Sequence, residues 1–571
     1  MSTKSWRVAV VAMLFLGCAG PVLAADTLLV HGHIYTGNPK QPWAEAVLVS
    51  GTQVAAIGTD REVRGRAGHG VQVVDLKGRT VIPGIVDSHT HVIYGGFALH
   101  GLNLSTAERS ITPEKPDELV RALREYAQAH PGDAVIFGRA DFGTAPPSTP
   151  SFELLDRAVK DRPVVVHNTS EHALWVNTAA LKLAGVTDWP LADPQEERGV
   201  IRDASGHPSG VLLEAAMAVM SRAVFAHVPQ EDLLKMTAAA TKYLNSFGVT
   251  SVVNATGNLE EIRLFATLRD RGELTVRTRT AFGAVAVAHH LTPKLLADLE
   301  EARRLYHDDW VAANLVKFFL DGSTGLIPPL VYEPHEYAAE VKEFDKRGFQ
   351  VMTHAIRNDS VHLALDTYEQ VEKDNGPRER RFRIEHADMV DAIDVPRFGK
   401  LQVVADMQPT FCCGEEGLNY DTVNPLPTDR WNSIASGGAT LAFSSDWPCT
   451  WAPDPFVGIQ QAVTRQIWKS ADTANVAGAA LDGAGQGGAV ITGAIYVPTE
   501  RVTVEQAIRA YTAGSAYAAF SDSKVGTLEK GKEADLVVLS QDLFTVPAES
   551  IAKTKALTTM VAGRVVYTAA P

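Results

Sequence analysis

Two histidines, His89 and His91, stand one residue apart where an apolar run stops, in VIPGIVDSHTHVIYGG (Val81 to Gly96). Side chains alternate along a strand, so both imidazoles project to the same side. Two neutral imidazoles on one side can hold a divalent metal ion. The spacing alone is weak evidence, because His31-Gly32-His33 repeats it in a strand-rich N-terminal segment, where it is read as structural. Polar residues at the ends of later apolar runs carry more weight. VMTHAIRN ends an apolar run on His354, RFRIEHAD ends one on His386, and TLAFSSDWP ends one on Asp446. LVKFFLDG places Lys317 inside an apolar strand, where a bare ammonium is costly. A buried lysine at a metal site can instead react with CO2 to become a carbamate, an anionic bridging ligand.

These residues need elements that bring several strand ends to one place. Amphipathic helical runs alternate with short buried strands: PQEDLLKMTAAATKYLNSFG precedes VTSVVNAT, TPKLLADLEEARRLYH precedes NLVKFFLDG, and VHLALDTYEQVEKD precedes RFRIEHAD. Helix then buried strand, repeated, predicts parallel β/α units. At this length the natural architecture is an α/β fold, a TIM-like (β/α)8 barrel with its polar strand ends at the C-terminal mouth. Residues 25–80 and 521–571 read instead as short Val/Ile-rich strands broken by Gly turns. Pairing the two chain ends in one small β-sandwich would cover their edges and apolar faces. The barrel is then expected over 81–520. Residues of about 102–226 fit its repeat poorly and read as an insertion after the first barrel strand, carrying its own amphipathic helix in ITPEKPDELVRALREYAQAH. The Gly/Ala-rich stretch 471–493 has the composition of a loop.

With 571 residues, 45% hydrophobic and 21% charged, the chain reads as a globular protein with room for a large domain and smaller ones. The formal net charge is −14 and no basic patch recurs, so no nucleic-acid partner is expected. Lys4 and Arg7 open a leader whose apolar core runs from Val8 to Gly17 and whose cleavage site is Val22-Leu23-Ala24. Residues 1–24 are therefore read as a signal peptide and the protein as periplasmic or secreted. A lipoprotein anchored through Cys18 ranks below this, because Phe15-Leu16-Gly17 is a poor match to the box such a cysteine requires. No run of ~18 or more apolar residues occurs elsewhere, so no membrane span is expected. Cys412, Cys413 and Cys449 remain after the leader, an odd number that leaves at least one thiol unpaired. The sequence leaves open whether copies of the chain form a homo-oligomer.

As a set, PGIVDSHTH, VKFFLDGS, THAI, RIEHA, SSDWP and the closing GTLEKGKEADLVVL resemble the amidohydrolase superfamily. More closely they resemble its YtcJ-like branch, amidohydrolase family 3, over nearly all of the mature chain. That branch includes N-substituted formamide deformylases and the exoenzyme-regulatory AepA type. The resemblance implies that His89 and His91 hold one metal and that Lys317, as carbamate, bridges to a second held by His354 and His386. Asp446 would touch the metal and the bridging water, take the water's proton and pass it to the leaving amine. Implied cofactors are one or two divalent ions, zinc first by ligand type, which lower the pKa of the shared water. The implied substrate is a small amide-like molecule. Departures from the branch pattern fall at Arg357-Asn358, at Thr410-Phe411 and in GRADFG, all sites expected to face substrate. His172 and Trp175 in TSEHALWVN resemble a pocket motif of the branch, though a packed loop histidine fits as well. Asp321 either orients a ligand or caps a turn, and Trp447 either walls the pocket or packs. Cys412 and Cys413 are read as structural.

The first reading is thus an exported metal-dependent hydrolase of C–N bonds. Within enzymes, ester or lactone hydrolysis by the same water is the alternative. From another class, a non-catalytic AepA-like regulatory or binding protein would keep the fold, but such a module has no use for six intact metal-site residues. Export is tested by mass spectrometry of the mature chain from its native host. The expected N-terminus is Ala25, and a product that begins at Met1 would refute the leader.

Overall fold

The computed structural model describes residues 26–570 except 107–108, 111–112, 114, 144–148, 284–290, 323–331, 413–427, 451, 467 and 469–494. The leader, Cys413 and the Gly/Ala-rich stretch lie outside the described residues. Eight strands form the central sheet: β1 (Ile85–Thr90), β2 (Val249–Gly257), β3 (Arg277–Phe282), β4 (Val311–Phe319), β5 (Gln350–Ala355), β6 (Arg383–His386), β7 (Val404–Met407) and β8 (Leu441–Phe443). Neighbours pair in parallel, in chain order. Just past β8 the barrel nearly closes. The Asp446 N–H donates to the His89 carbonyl at 2.8 Å, and Ser445 donates to the Asp87 carboxylate through its N–H (3.0 Å) and its hydroxyl (2.5 Å). This is the expected TIM-like barrel. Helices Gln230–Asn245, Pro293–Leu305, Pro334–Lys346 and Asn358–Asn375 precede β2, β4, β5 and β6, and their apolar stripes pack into one core with the strands.

The chain ends form two small sheets, and interleave in the second. One holds Thr27–Val30, Ala46–Ser50, Gln53–Gly58 and Gln72–Asp75, and the other joins His33–Tyr35, Trp43–Ala44 and Thr80–Pro83 to Leu536–Leu539, Ala556–Val561 and Arg564–Thr568. Thr80–Pro83 is the shared strand, with Val81 opposite Val538. It runs into β1 through Gly84, where an added Cβ would lie 2.3 Å from Thr250 Oγ1, so only glycine lets the sheet and the barrel approach this closely. Buried Arg277, at the start of β3, ties the two parts electrostatically, donating to Asp535 (2.9 Å) and Glu533 (2.8 Å).

Between β1 and β2 lies the insertion, a six-stranded sheet from Leu102–Asn103 to Pro208–Leu213 with its own core. Trp175 belongs to that core. It is fully buried, stacked among apolar side chains, with its indole N–H donated to the Ser151 carbonyl at 3.1 Å. No helix of the described residues is long and apolar enough to cross a membrane.

Candidate metal centre

The polar strand ends converge. His89 lies near the end of β1 and His91 just past it. Lys317 lies on β4, His354 on β5 and His386 at the end of β6, while Asp446 follows β8. All six line a cavity of about 760 Å³. The Lys317 Nζ stands 3.2 Å from His89 Nε2 and 4.8 Å above the Phe319 ring. Asp446 Oδ1 is 3.2 Å from His91 Nε2 and 3.5 Å from His89 Nε2. The rings of His354 and His386 are 4.4 Å apart, and those of His89 and His386 are 5.0 Å apart.

Two of these residues escape strand alternation. His386 has φ 69° and Asp446 φ 54°, left-handed values that non-glycine residues adopt rarely and at some cost. At His386 the turn lets two consecutive residues serve one centre. Glu385 Oε2 lies 2.6 Å from His89 Nδ1, while His386 also lines the cavity. Glu385 in turn accepts two hydrogen bonds from Arg383, which donates a third to Asp406 at 2.8 Å. With its Nδ1–H donated to Glu385, His89 turns the Nε2 lone pair inward, the carboxylate–histidine arrangement that orients metal ligands. The sequence reading missed Glu385, Arg383 and Asp406. Its available signal was charge at alternate positions of an otherwise apolar strand.

Burial governs the protonation states. Desolvation, reinforced by Lys317, holds His89 well below the usual imidazole range. His354 is lowered likewise by burial and His386, and burial lowers His386 to about 3 despite Asp446. Burial pushes Lys317 down to about 8 and Glu385 up to about 7. Asp446 is also pushed up by burial, but His91, His386 and Lys317 outweigh that and leave it below the usual carboxylate range. His89, His354 and His386 are therefore neutral beside an ionised Asp446, the protonation states that metal ligands require. His354 Nε2 faces the Asp321 carboxylate at 3.3 Å, and Asp446 Oδ1 faces His91 Nε2 at 3.2 Å. Ligand atoms of His89, His386 and Asp446 lie within 4.8 Å of one another. Buried imidazoles and a carboxylate converging in this way fit a divalent cation.

The substrate candidates divide. His172 lines the cavity, with its ring 5.8 Å from that of His354 and its Nδ1 2.7 Å from Glu214 Oε1. Burial lowers His172, but Glu214 more than compensates and raises it. Trp175, Asp321 and Trp447 do not line the cavity. Trp175 packs inside the insertion. Trp447 packs against Gly95, where an added Cβ would lie 2.0 Å from the indole, so the glycine pair after His91 makes room for it. Asp321 accepts the backbone N–H groups of Ile356 and Arg357 and lies 3.3 Å from His354 Nε2, so it caps a turn beside His354. Among the departures, Phe411 lines the cavity, whereas Arg357 pairs with Asp359 and Asn358 with Asp391. Arg139 binds backbone carbonyls. Glu171, Glu214 and Cys449 line the cavity without having been singled out for it in the sequence.

The model of the amidohydrolase family matches residues 72–567. An N-substituted formamide deformylase from Arthrobacter pascens is 25% identical over 566 residues, spanning 95% of this chain and 98% of its own. The protein YtcJ of Bacillus subtilis (strain 168) is 27% identical, over 94% of this chain and 98% of its own. Among solved structures, an uncharacterized metal-dependent hydrolase from Pyrococcus furiosus superposes with a TM-score of 0.65 at 24% identity, over 91% of this chain and all of its own.

Glu385→Gln keeps the shape and removes the charge that orients His89. Metal content after dialysis against graded chelator is expected to show affinity reduced by ~10–100-fold, and unchanged affinity would remove Glu385 from the centre.

Proposed function

The chain belongs to the amidohydrolase family, and from that membership we propose that it hydrolyses an amide-like C–N bond of a small organic molecule after export. The observation that carries this reading is the convergence of His89, His386 and Asp446 in one buried cluster, with His91, Lys317 and His354 on the same cavity. The name of the Arthrobacter relative supports a C–N bond as the target.

One or two divalent ions, zinc first by ligand type, would be held by His89, His91, His354, His386, Asp446 and the carbamate of Lys317, and would acidify the attacking water and polarise the scissile carbonyl. Asp446 is the base. Its carboxylate is ionised in the resting site, accepts the proton of the attacking water and returns it to the departing nitrogen. His172, fixed by Glu214, turns its second ring nitrogen toward the cavity and hydrogen-bonds the substrate oxygen. Apolar Phe225, Phe282 and Phe319 would seat the organic body of the substrate and exclude water around it.

Lys317 reaches its working form by adding CO2. Its lowered pKa leaves a fraction of free amine near neutral pH; the nitrogen lone pair bonds to the carbon of CO2, one C=O becomes a carboxylate oxygen, and a proton leaves the nitrogen. The product is an anion where an ammonium beside two cations would be repulsive as well as desolvated.

Three measurements test this reading. Zinc-loaded protein is screened against N-formyl amines, N-acyl amino acids and matched esters, and amide turnover is expected. Asp446→Asn should retain most of its metal and lose ~10²–10⁴-fold in kcat; near-full turnover at neutral pH would mean that another group is the base. Protein reconstituted in ¹³C-bicarbonate should show a carbamate carbonyl resonance that Lys317→Ala lacks. Its absence from metal-loaded wild type would leave the lysine unmodified.

A further inference from the structure

Three residues past Asp446 lies Cys449, a free thiol that lines the cavity. Its N–H donates to the Asp446 carbonyl at 2.8 Å, so residues 446–449 close a tight turn. The insertion fixes that turn from the other side. Arg139 donates to the carbonyls of Pro448 (2.7 Å) and Cys449 (3.4 Å), and the thiol donates to the Ser170 carbonyl at 3.6 Å. As a result, ligand atoms of His91, Asp446 and Cys449 lie within 4.8 Å of one another. In the same corner Asp446 Oδ1 is met by His91 Nε2 at 3.2 Å, and His91 Nδ1 is buried without a hydrogen bond. A buried carboxylate is costly unless positive charge answers it, and a metal cation bound by His91, Asp446 and Cys449 would do so.

We infer that Cys449, as thiolate, is a ligand of the ion on the His91 side of the centre. The inference rests on the metal centre proposed above. Forming the sulfur–metal bond breaks the S–H bond and releases its proton to solvent. The thiolate would then join His91 and Asp446, beside the other ligands named above. A soft sulfur donor favours zinc and cobalt over magnesium, calcium or manganese, so the thiolate biases which metal the centre keeps.

The test titrates metal-free, full-length protein with cobalt(II) and follows absorption. Wild type is expected to develop an intense near-ultraviolet thiolate-to-cobalt band. In Cys449→Ser that band should be missing while the weaker visible cobalt bands remain, and cobalt binding at one site should weaken by at least the ~10–100-fold that loss of an outer partner costs. Cys449→Ala is the second variant, and thermal unfolding of both metal-free variants checks the fold. Should neither fold, alkylation of Cys449 in the wild type decides: bound cobalt protects a ligand thiol, and equal rates with and without cobalt overturn the inference. Cobalt that binds both proteins with the same spectrum removes Cys449 from the centre and leaves the other ligands standing. Cobalt that fails to bind wild type overturns the metal centre itself, and the thiolate with it.

Discussion

Charge inside the barrel must be answered by charge. Lys317, Arg383, Glu385 and Asp406 are all fully buried in the centre of the sheet, and an isolated ion there would be expensive. Arg383 meets this by binding Glu385 and Asp406 together while donating to the Ser88 carbonyl at 2.7 Å. It thereby joins β6 to β7 and to β1 through charge-assisted hydrogen bonds. His89 hangs from the far side of Glu385. The same ion network that makes a polar barrel interior tolerable also sets the ring orientation of the first metal-site histidine. Replacing it by apolar side chains would leave a packed barrel and no means of aiming His89.

Backbone strain marks several residues of the same cavity. Left-handed φ values occur at His386 and Asp446 on the barrel side, and at Glu171 and Glu214 on the insertion side. Such conformations persist where the surroundings over-determine them. Here each one re-aims a side chain that a regular strand or helix start would turn away. Glu214 leads into the helix Ala215–His227 and reaches back to His172, and Glu171 reaches His167 at 2.7 Å. Two histidine–glutamate pairs thus stand on the insertion, opposite the histidine–glutamate pair on β1 and β6.

Much of this was legible in the sequence. His89, His91, Lys317, His354, His386 and Asp446 each break an apolar run near a strand end, and the helix–strand repeat placed those ends at one mouth. Glu385 showed only as a charge alternating with Arg383, and its role was hidden because strict alternation turns residue 385 away from whatever residue 386 serves. Only the left-handed backbone at His386 lets both contribute. Trp175 misled for a related reason. It sits three residues past His172 within a strand, and nothing in TSEHALWVN states which sheet face becomes the core of the insertion. For Trp447 the sequence left wall or packing open, and the missing Cβ of Gly95, far away in the chain, decides for packing.

The insertion is therefore part of the active-site wall and not an appendage beside it. It contributes Thr169 to His172 and Glu214 to the cavity lining. Through Arg139 it also holds the carbonyls of the turn that begins at Asp446. Arg139 belongs to GRADFG, one of the departures from the branch pattern, and Phe411 is another. Neither holds the metal, and both shape what surrounds it. Changes in the wall leave the barrel's charge network untouched, since Arg383, Glu385 and Asp406 make their contacts within the barrel. This separation lets the hydrolytic centre stay constant while the surface presented to substrate varies. Substrate preference is therefore to be sought in the insertion's lining residues together with Phe282, Phe319 and Phe411, and the chemistry in the polar strand ends of the barrel.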